Sequence, residues 1–424
     1  MPVPALLVSL ALALPAAALA QPLPPAAPGS SGLSAEGLAR IDAFWQREIA
    51  ARRIPGAVVA IARDGKLVHH KAYGVLDPAT NQPMPLDAIF QLASMTKVMT
   101  GVAALTLTEE GRLPLKSRLD GYFPQFANAK VGVVGPGGEL TTVPAKEPIS
   151  IQDLMRHTSG ITYGGRGSTA VHKLWPASSS ATSVQYTGAE FIDKIGPLPL
   201  LYQPGTTWDY GLSIDVLGLV VEKVSGQRLG DYMKAAFWDK LKMTDATFWP
   251  SAAQRQRVAR PLPQDPLTGR DQAIASLDRS PKFDCGGGCA FATVGDYLRF
   301  AQMLNNGGVL DGQRILSPKT VQHMTSDHLG ATIKNNVAAL EGHREGYGFG
   351  LTVAVRLVDG LAATPGTPGD YTWNGANGTL FWNDPQEKLT VVVGTAGPGE
   401  IRKVYREQMG VLVYGAMVES RRGR

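Results

Sequence analysis

A serine and a lysine three residues apart, Ser94 and Lys97, have the types and spacing that favour nucleophilic chemistry. No other serine in the sequence is followed by a lysine at this spacing. The apolar stretch 98–107 predicts a buried helix whose first turn carries both residues on one face. An amine that burial keeps neutral can accept the serine proton and make the hydroxyl a nucleophile. The alternative is an N-cap serine followed by a surface lysine.

Two further motifs carry groups that could assist such a nucleophile. A turn at Pro204-Gly205 brings Tyr210 to the start of the apolar stretch 214–224. A phenol beside a buried cation can transfer a proton, and an ordinary core tyrosine is the alternative. The stretch 371–378 is an aromatic strand followed by small residues, which allow a substrate close to the backbone. An N–H at this edge and the N–H of Ser94 could stabilise an oxyanion, and an ordinary hairpin is the alternative.

The composition is that of a soluble globular protein, because 44% of the 424 residues are hydrophobic and 18% are charged. This length suffices for a large core in one domain or in two interleaved ones. The net charge of +5 comes from scattered basic residues rather than from a basic run with interleaved aromatic residues. We therefore expect no nucleic-acid partner.

The first 20 residues predict a signal peptide, because the apolar stretch 5–20 ends in the small-residue pattern Ala18-Leu19-Ala20. We expect export to the periplasm or medium of a bacterium, with no stable membrane span after cleavage. An uncleaved membrane anchor is the alternative. Residues 21–32, rich in Pro, Ala, Gly and Ser, predict a linker.

The two cysteines, Cys285 and Cys289, enclose three glycines. In an oxidising compartment they would form a disulfide that stiffens this loop, and two free thiols are the alternative. Because no histidines cluster with them, we expect no metal site.

Periodicity predicts strands at both ends of the chain and helices between them. The predicted strands are 57–62, 67–73, 348–355, 372–374, 379–382 and 389–393, and Asp64-Gly65 predicts a hairpin turn between the first two. The predicted helices are one that begins after Ser34 and those at 98–107, 149–155, 214–224, 230–241, 294–304 and 401–418. The stretches 127–148 and 162–187 predict surface loops that shape the pocket.

This order of elements predicts an α/β plus all-α fold, in which both chain ends complete one antiparallel sheet flanked by helices. The expected α/β domain comprises 33–92 and 343–424. The expected helical insertion, 93–342, carries the nucleophile.

In this order the three motifs resemble those of the serine hydrolases with the penicillin-recognising fold: class C β-lactamases, D,D-peptidases and related esterases. The likeness extends over 34–418 and includes the blocks 90–97, 157–160, 204–218 and 285–289. It implies a β-lactamase/transpeptidase-like fold.

The resemblance also implies roles for individual residues. Ser94 would be the nucleophile, Lys97 the base, and Tyr210 the group that passes the proton to the leaving oxygen. The backbone N–H groups of Ser94 and Ala376 would form the oxyanion hole. We expect the histidine and serine of the 157–160 block to be structural.

The chain departs from the penicillin-directed members in two places. Leu212 stands where they usually have the Asn of Tyr-x-Asn, and Trp373-Asn374-Gly375 replaces their Lys-Thr-Gly or His-x-Gly. The lost amide and cation bind the β-lactam, and each lost contact to a charged group is worth about 1.5–3 kcal/mol. These changes resemble the esterase branch, so we expect Leu212 and Trp373 to make a more apolar acyl pocket, and Asn374 and Gly375 to bind the substrate beside them.

The expected function is therefore an exported serine hydrolase, a carboxylesterase that acts on a small-molecule ester through a Ser94 acyl-enzyme without a cofactor. One alternative has the same fold but cleaves amides, as a weak β-lactamase or a hydrolase of D-amino-acid peptides. A second alternative is a binding protein without catalysis. No Gly-x-Ser-x-Gly sequence occurs, which disfavours an α/β-hydrolase esterase.

Overall fold

Eight antiparallel strands form the central sheet of the computed structural model, which describes residues 22–423. The predicted signal peptide, 1–20, lies outside the described residues. In chain order the strands are β1 (Gly56–Arg63), β2 (Lys66–Asp77), β3 (Gln82–Pro83), β4 (Ile89–Gln91), β5 (Lys130–Val134), β6 (Leu140–Pro144), β7 (Phe291–Thr293), β8 (Val309–Leu310), β9 (Gln313–Arg314), β10 (Tyr347–Phe349), β11 (Ala354–Arg356), β12 (Tyr371–Asn374), β13 (Leu380–Asp384) and β14 (Leu389–Thr395). The sheet order β10-β11-β12-β13-β14-β1-β2-β3 confirms that both ends of the chain complete one sheet.

The helices lie mainly between the two groups of sheet strands. They are α1 (Ala35–Ala50), α2 (Thr96–Glu109), α3 (Ile151–Met155), α4 (Ser179–Gln185), α5 (Gly188–Ile195), α6 (Ser213–Ser225), α7 (Leu229–Met233), α8 (Ala252–Arg255), α9 (Val294–Asn305), α10 (Pro318–Met324), α11 (Val337–Leu340) and α12 (Ile401–Tyr414). None of these helices within residues 22–423 has the length and apolar content needed to cross a membrane.

The sheet is buried on both faces. Strand β1 is therefore apolar at nearly every position, since its alternate side chains enter cores on opposite faces. Val59 and Ile61 pack into one core together with α1 and α12. Val58 and Ala60 point into the larger core on the other face, where α9 covers β14 and β1. Helix α9 thus belongs to the predicted helical segment 93–342 but packs directly on the sheet.

Local sequence signals set the ends of several elements as expected. Asp64 and Gly65 have φ values of 53° and 71°, which form the tight turn between β1 and β2. The Ser34 side chain caps α1 by accepting the Gly37 N–H at 2.9 Å. Helix α6 ends at Ser225 and is capped by Gly226, which has a φ of 75°.

Other predictions of local structure are wrong. The single strand predicted over 348–355 is two short strands, β10 and β11, because the chain turns between them, with Thr352 at a φ of 72° and the Gly350 N–H bonded to the Val353 carbonyl. The predicted surface loop 127–148 contains the β5–β6 hairpin.

Two further segments differ from the sequence-based expectation. The predicted loop 162–187 contains helix α4 and several buried side chains. In the predicted linker, Leu23 is buried, and the backbone of Pro24 and Ala26 is hydrogen-bonded to Leu67 at the start of β2. The described part of this segment is therefore an additional piece of the sheet edge rather than a free linker.

The elements that position the site meet at one end of the sheet. Strand β4 leads into Ser94 and pairs with β7, where Phe90 lies opposite Ala292. Helix α2 follows Ser94 and packs against α6, which begins just after Tyr210. The turn between β12 and β13 reaches the same place, because the Thr379 hydroxyl donates a hydrogen bond to the Leu92 carbonyl at 3.0 Å.

Candidate active site

Ser94 lies in a single 3₁₀ turn, Ala93–Met95, that continues directly into α2. Its side chain is half-buried, so it faces solvent from the end of an otherwise buried helix. The preceding residue, Ala93, has a φ of 46°, a conformation that costs energy in a non-glycine residue. The surrounding contacts therefore hold the nucleophile at a sharp bend between β4 and α2.

The Lys97 amine is buried, with 1% of the residue exposed, and it donates three hydrogen bonds. Its acceptors are Ser94 Oγ at 3.4 Å, Tyr163 Oη at 3.2 Å and the Gly287 carbonyl at 2.5 Å. An ammonium group has three N–H donors, so this arrangement satisfies the charged form completely.

The electrostatic surroundings of Lys97 also favour the ammonium form. Burial lowers the pKa of Lys97, but the nearby oxygens of Tyr163, Tyr210 and Asp215 outweigh this effect and raise the pKa above its ordinary value. The direction of this shift runs against the expectation of an amine kept neutral by burial. Burial acts here together with hydroxyl and carboxyl groups that are distant in the sequence, so the spacing of Ser94 and Lys97 does not reveal them.

Tyr210 joins Ser94 and Lys97, as the motifs predict. The Lys97 Nζ lies 4.6 Å from the centroid of the Tyr210 ring. The Trp373 indole N–H donates to the Tyr210 Oη at 3.4 Å, and the His157 ring packs against the tyrosine at 4.8 Å between centroids. The phenol is thus fixed beside the ammonium group on one side and the aromatic cluster on the other.

A chain of hydrogen bonds connects Lys97 to a buried carboxylate. Lys97 donates to Tyr163 Oη, which lies 2.9 Å from Ser179 Oγ, and Ser179 donates to Asp215 Oδ2 at 2.8 Å. Because Lys97 and Asp215 fix the two ends, the Tyr163 hydroxyl must donate to Ser179. Burial raises the pKa of the Tyr163 phenol, so this tyrosine is a neutral donor that points away from Ser94.

Gly287 closes this chain into a ring. Its N–H donates to Asp215 Oδ1 at 3.0 Å, and its carbonyl accepts from Lys97. Gly287 lies in the loop that Cys285 and Cys289 join by a disulfide, with their Cα atoms 5.4 Å apart. A β-carbon at position 287 would lie 2.2 Å from Asp215 Oδ2, so only glycine allows this approach.

A cavity of about 330 Å³ opens beside Ser94. Its wall includes Ser94, Tyr163, Tyr210 and Ala376. The Ser94 N–H lies in the first turn, where amides lack intrahelical acceptors, and among the described residues the Ala376 N–H donates to no protein group. Both N–H groups are therefore available to an oxyanion. The wall also includes residues of the predicted pocket segment 162–187 and none of 127–148.

The structure places the other predicted substrate residues outside the cavity wall. Leu212 is fully buried before α6, and Trp373 is 2% exposed behind Tyr210. Asn374 donates its side-chain N–H to Glu341 at 3.0 Å, and Gly375 packs against the Leu92 carbonyl. Leu212 and Trp373 therefore do not line the expected apolar pocket, and the side chains of Trp373 and Asn374 instead hold Tyr210 and the end of β12 in place.

Glu341 anchors the end of β12 from behind. It accepts from Asn374 and forms an ion pair with Arg406, whose guanidinium also donates to the Gly375 carbonyl. Burial would raise the pKa of Glu341, but the charges of Arg406 and Arg344 and the Asn374 hydrogen bond lower it to about 2. The Arg344 guanidinium lies 4.5 Å above the Trp373 ring. This cluster fixes the strand that leads to Ala376.

Sequence reasoning missed Tyr163, Ser179, Asp215 and Gly287 as site residues. One signal was available, because Asp215 is a lone acid in an apolar helical stretch, and a buried charge needs a partner. His157 and Ser159, expected to be structural, pack in the aromatic cluster and bond to the N-terminal turn of α6. No group of three or more His, Cys, Asp or Glu that could hold a metal ion occurs in residues 22–423.

Comparison with known proteins identifies one matching family model and several related esterases. The family model described as Beta-lactamase matches residues 39–413. The chain is 31% identical to the lovastatin esterase of Penicillium rubens, covering 81% of this chain and 88% of that protein. It is 28% identical to esterase EstB of Burkholderia gladioli, covering 87% of this chain and 93% of that protein.

A solved structure agrees with these sequence relatives. The structure of EstCE1, described as a hydrolase with promiscuous acyltransferase activity, superimposes with a TM-score of 0.72 at 25% identity. The match covers 91% of this chain and 99% of that one. The sheet, the Ser94–Lys97 turn and the relatives lead to one conclusion: this chain belongs to the beta-lactamase family and is a serine hydrolase of the penicillin-recognising fold.

Proposed function

We propose that this protein is a carboxylesterase that acts through an acyl-enzyme on Ser94. The observation that carries the proposal is the convergence of Ser94 Oγ, the Lys97 ammonium and the Tyr210 phenol beside one open cavity. In the first step Ser94 Oγ attacks the ester carbonyl and the alcohol leaves with the serine proton. In the second step water releases the acid and restores the hydroxyl.

Tyr210 is the group best placed to carry the proton in both steps. Lys97 already uses its three N–H bonds as donors, and its raised pKa holds it as an ammonium, so it cannot accept the serine proton in the resting site. Tyr163 is a neutral donor whose hydroxyl points to Ser179. Tyr210 therefore relays the proton: its hydroxyl oxygen takes the proton of Ser94 as its own hydroxyl proton passes to the leaving oxygen, and the nearby Lys97 charge stabilises the negative charge that develops on the phenol oxygen. The N–H groups of Ser94 and Ala376 receive the oxyanion.

Two features favour esters over β-lactams as substrates. The strand at the cavity carries the uncharged Trp373 where penicillin-directed members have a cation, and the Asn374 amide is already bonded to Glu341. Among the relatives, the lovastatin esterase and EstB are described as esterases.

The experiment is a side-by-side panel of aryl esters, cephalosporins and D-alanyl peptides on the purified protein. We expect ester hydrolysis that disappears in Ser94→Ala and persists in Ser180→Ala, which removes another serine of the same cavity wall. Intact-protein mass spectrometry during turnover should show an acyl group on the wild type. Unchanged turnover in Ser94→Ala would refute the proposal, and faster cleavage of a cephalosporin or D-peptide than of any ester would favour the amide-cleaving alternative.

We also propose that the protein is exported. The apolar stretch 5–20 with its small-residue end supports this, and so does the disulfide between Cys285 and Cys289, because such bonds persist in oxidising compartments. N-terminal sequencing of the protein purified from a periplasmic fraction should begin at Gln21. An intact N-terminus in the cytoplasmic fraction would contradict export.

A further inference from the structure

We propose that Arg166 forms an anion subsite in the catalytic cavity, so that the preferred esters carry a carboxylate distant from the scissile bond. This inference rests on the proposed function and names a substrate class within it. Among the described residues that line the cavity, Arg166 is the one with a charged side chain, and the rest of the wall is made of uncharged residues. At the base of the site lies a second positive charge, the Lys97 ammonium.

The position of Arg166 is defined by Tyr210. The Arg166 Cζ lies 5.5 Å from the centroid of the Tyr210 ring, a distance typical of a cation–π contact. Lys97 Nζ lies 4.6 Å from the same centroid and 3.4 Å from Ser94 Oγ. Arg166 is therefore within reach of the far end of an ester whose carbonyl lies at Ser94.

No carboxylate of residues 22–423 forms an ion pair with Arg166, although the residue is exposed and its guanidinium has five N–H donors. The acid that lies within its electrostatic influence is Asp209, whose carboxyl group is largely buried beside Thr162. Burial raises the pKa of Asp209, which weakens it as a counter-ion, and Arg166 only partly offsets this. The donors of Arg166 thus remain available to a substrate.

The charge balance of the cavity favours the same class of ligand. The described cavity wall carries the Arg166 cation and no carboxylate, and Asp215, the acid linked to Lys97, has no exposed surface; a concave site of about 330 Å³ with this lining concentrates anions through its field. A guanidinium binds a carboxylate through two parallel hydrogen bonds, which gives orientation as well as affinity. This cation comes from the 162–187 segment and not from the strand end that carries Trp373.

The test uses matched pairs of aryl esters. The 4-nitrophenyl monoesters of adipic, pimelic and suberic acid are each compared with the same ester whose second carboxyl is methylated. For each pair we measure the ratio of kcat/KM, anionic over neutral, in wild type, Arg166→Met and Arg166→Lys. A second arginine, Arg279, is the matched control, because it is exposed on a neighbouring cavity that shares Ser180 and Ala275 with the catalytic one.

We expect the wild-type ratio to exceed one for at least one chain length and to fall about tenfold in Arg166→Met through a higher KM for the anionic ester. Arg166→Lys should restore part of the ratio, and Arg279→Met should leave it unchanged. A ratio in Arg166→Met within twofold of the wild type would overturn the inference. An equal fall in Arg279→Met would do the same, because it would indicate general attraction by a positive surface. If no ester of either kind is hydrolysed, the proposed function itself fails.

Discussion

Replacing Asp215 by asparagine tests the assignment of Lys97 as an ammonium. Asp215 has no exposed surface and accepts from Ser179 Oγ and from the Gly287 N–H. Asparagine keeps the shape but presents an N–H₂ group to one of these donors. If that group faces Ser179, the hydroxyls of Ser179 and Tyr163 must reverse, and Tyr163 can then no longer accept from Lys97.

The magnitude follows from the contacts that are lost. A hydrogen bond to a charged group contributes about 1.5–3 kcal/mol, and each 1.36 kcal/mol is tenfold in rate, so kcat should fall about 10- to 150-fold. The pH dependence has a defined sign. Asp215 helps to raise the pKa of Lys97, so its replacement lowers that pKa. Activity needs the ammonium and is lost as pH rises through this pKa, and the alkaline limb should therefore move to lower pH in Asp215→Asn.

The assay is kcat and kcat/KM for a neutral aryl ester between pH 6 and pH 10.5, with circular dichroism at each pH to show that the protein is folded. Asp296→Asn is the matched control, since Asp296 is equally buried but caps α9 away from Lys97. This control should keep the alkaline limb of the wild type. If Asp215→Asn has a kcat within twofold of the wild type and the same pH profile, the ring of hydrogen bonds does not set the charge of Lys97.

Three further predictions concern other parts of the site and the core. Reducing the Cys285–Cys289 disulfide, or replacing both cysteines by serine, should lower kcat more than it raises KM. The reason is that the loop that holds the Gly287 carbonyl against Lys97 becomes less rigid. Equal kcat values for the reduced and the oxidised enzyme would contradict this. Tyr163→Phe should lower kcat about tenfold, since Lys97 loses an acceptor, and a stopped-flow burst of unchanged amplitude and rate would argue against it. Burial raises the pKa of Asp296 to about 7, so this residue destabilises the folded protein increasingly as pH rises from the pKa of the unfolded chain to 7. The Tm of Asp296→Asn minus the Tm of the wild type should therefore be larger at pH 8 than at pH 5. A difference that does not change with pH would refute this.

The parts of the fold that depend on local chemistry could be predicted from the sequence. The Asp64-Gly65 turn, the N-cap at Ser34 and the C-cap at Gly226 each act within a few residues, and the structure has all three. Period-two patterns at both chain ends predicted the sheet, but the single strand over 348–355 was wrong, because the residue with positive φ in this turn is Thr352, a residue type that rarely adopts that conformation. The segment 127–148 was predicted as a loop because it has the composition of a surface segment, although it contains the β5–β6 hairpin.

The candidate site likewise has features that the sequence predicted and features that only the tertiary structure decided. The sequence alone determined that Ser94 and Lys97 lie together, because a spacing of three residues on a helix start fixes their separation locally. Only the tertiary structure decided the charge of Lys97, since its other hydrogen-bond acceptors, Tyr163 and Gly287, are 66 and 190 residues away along the chain. The tertiary structure also buried Trp373, which the sequence had placed against the substrate. Long-range packing sets these contacts, and with them the local dielectric and field on which a buried amine depends.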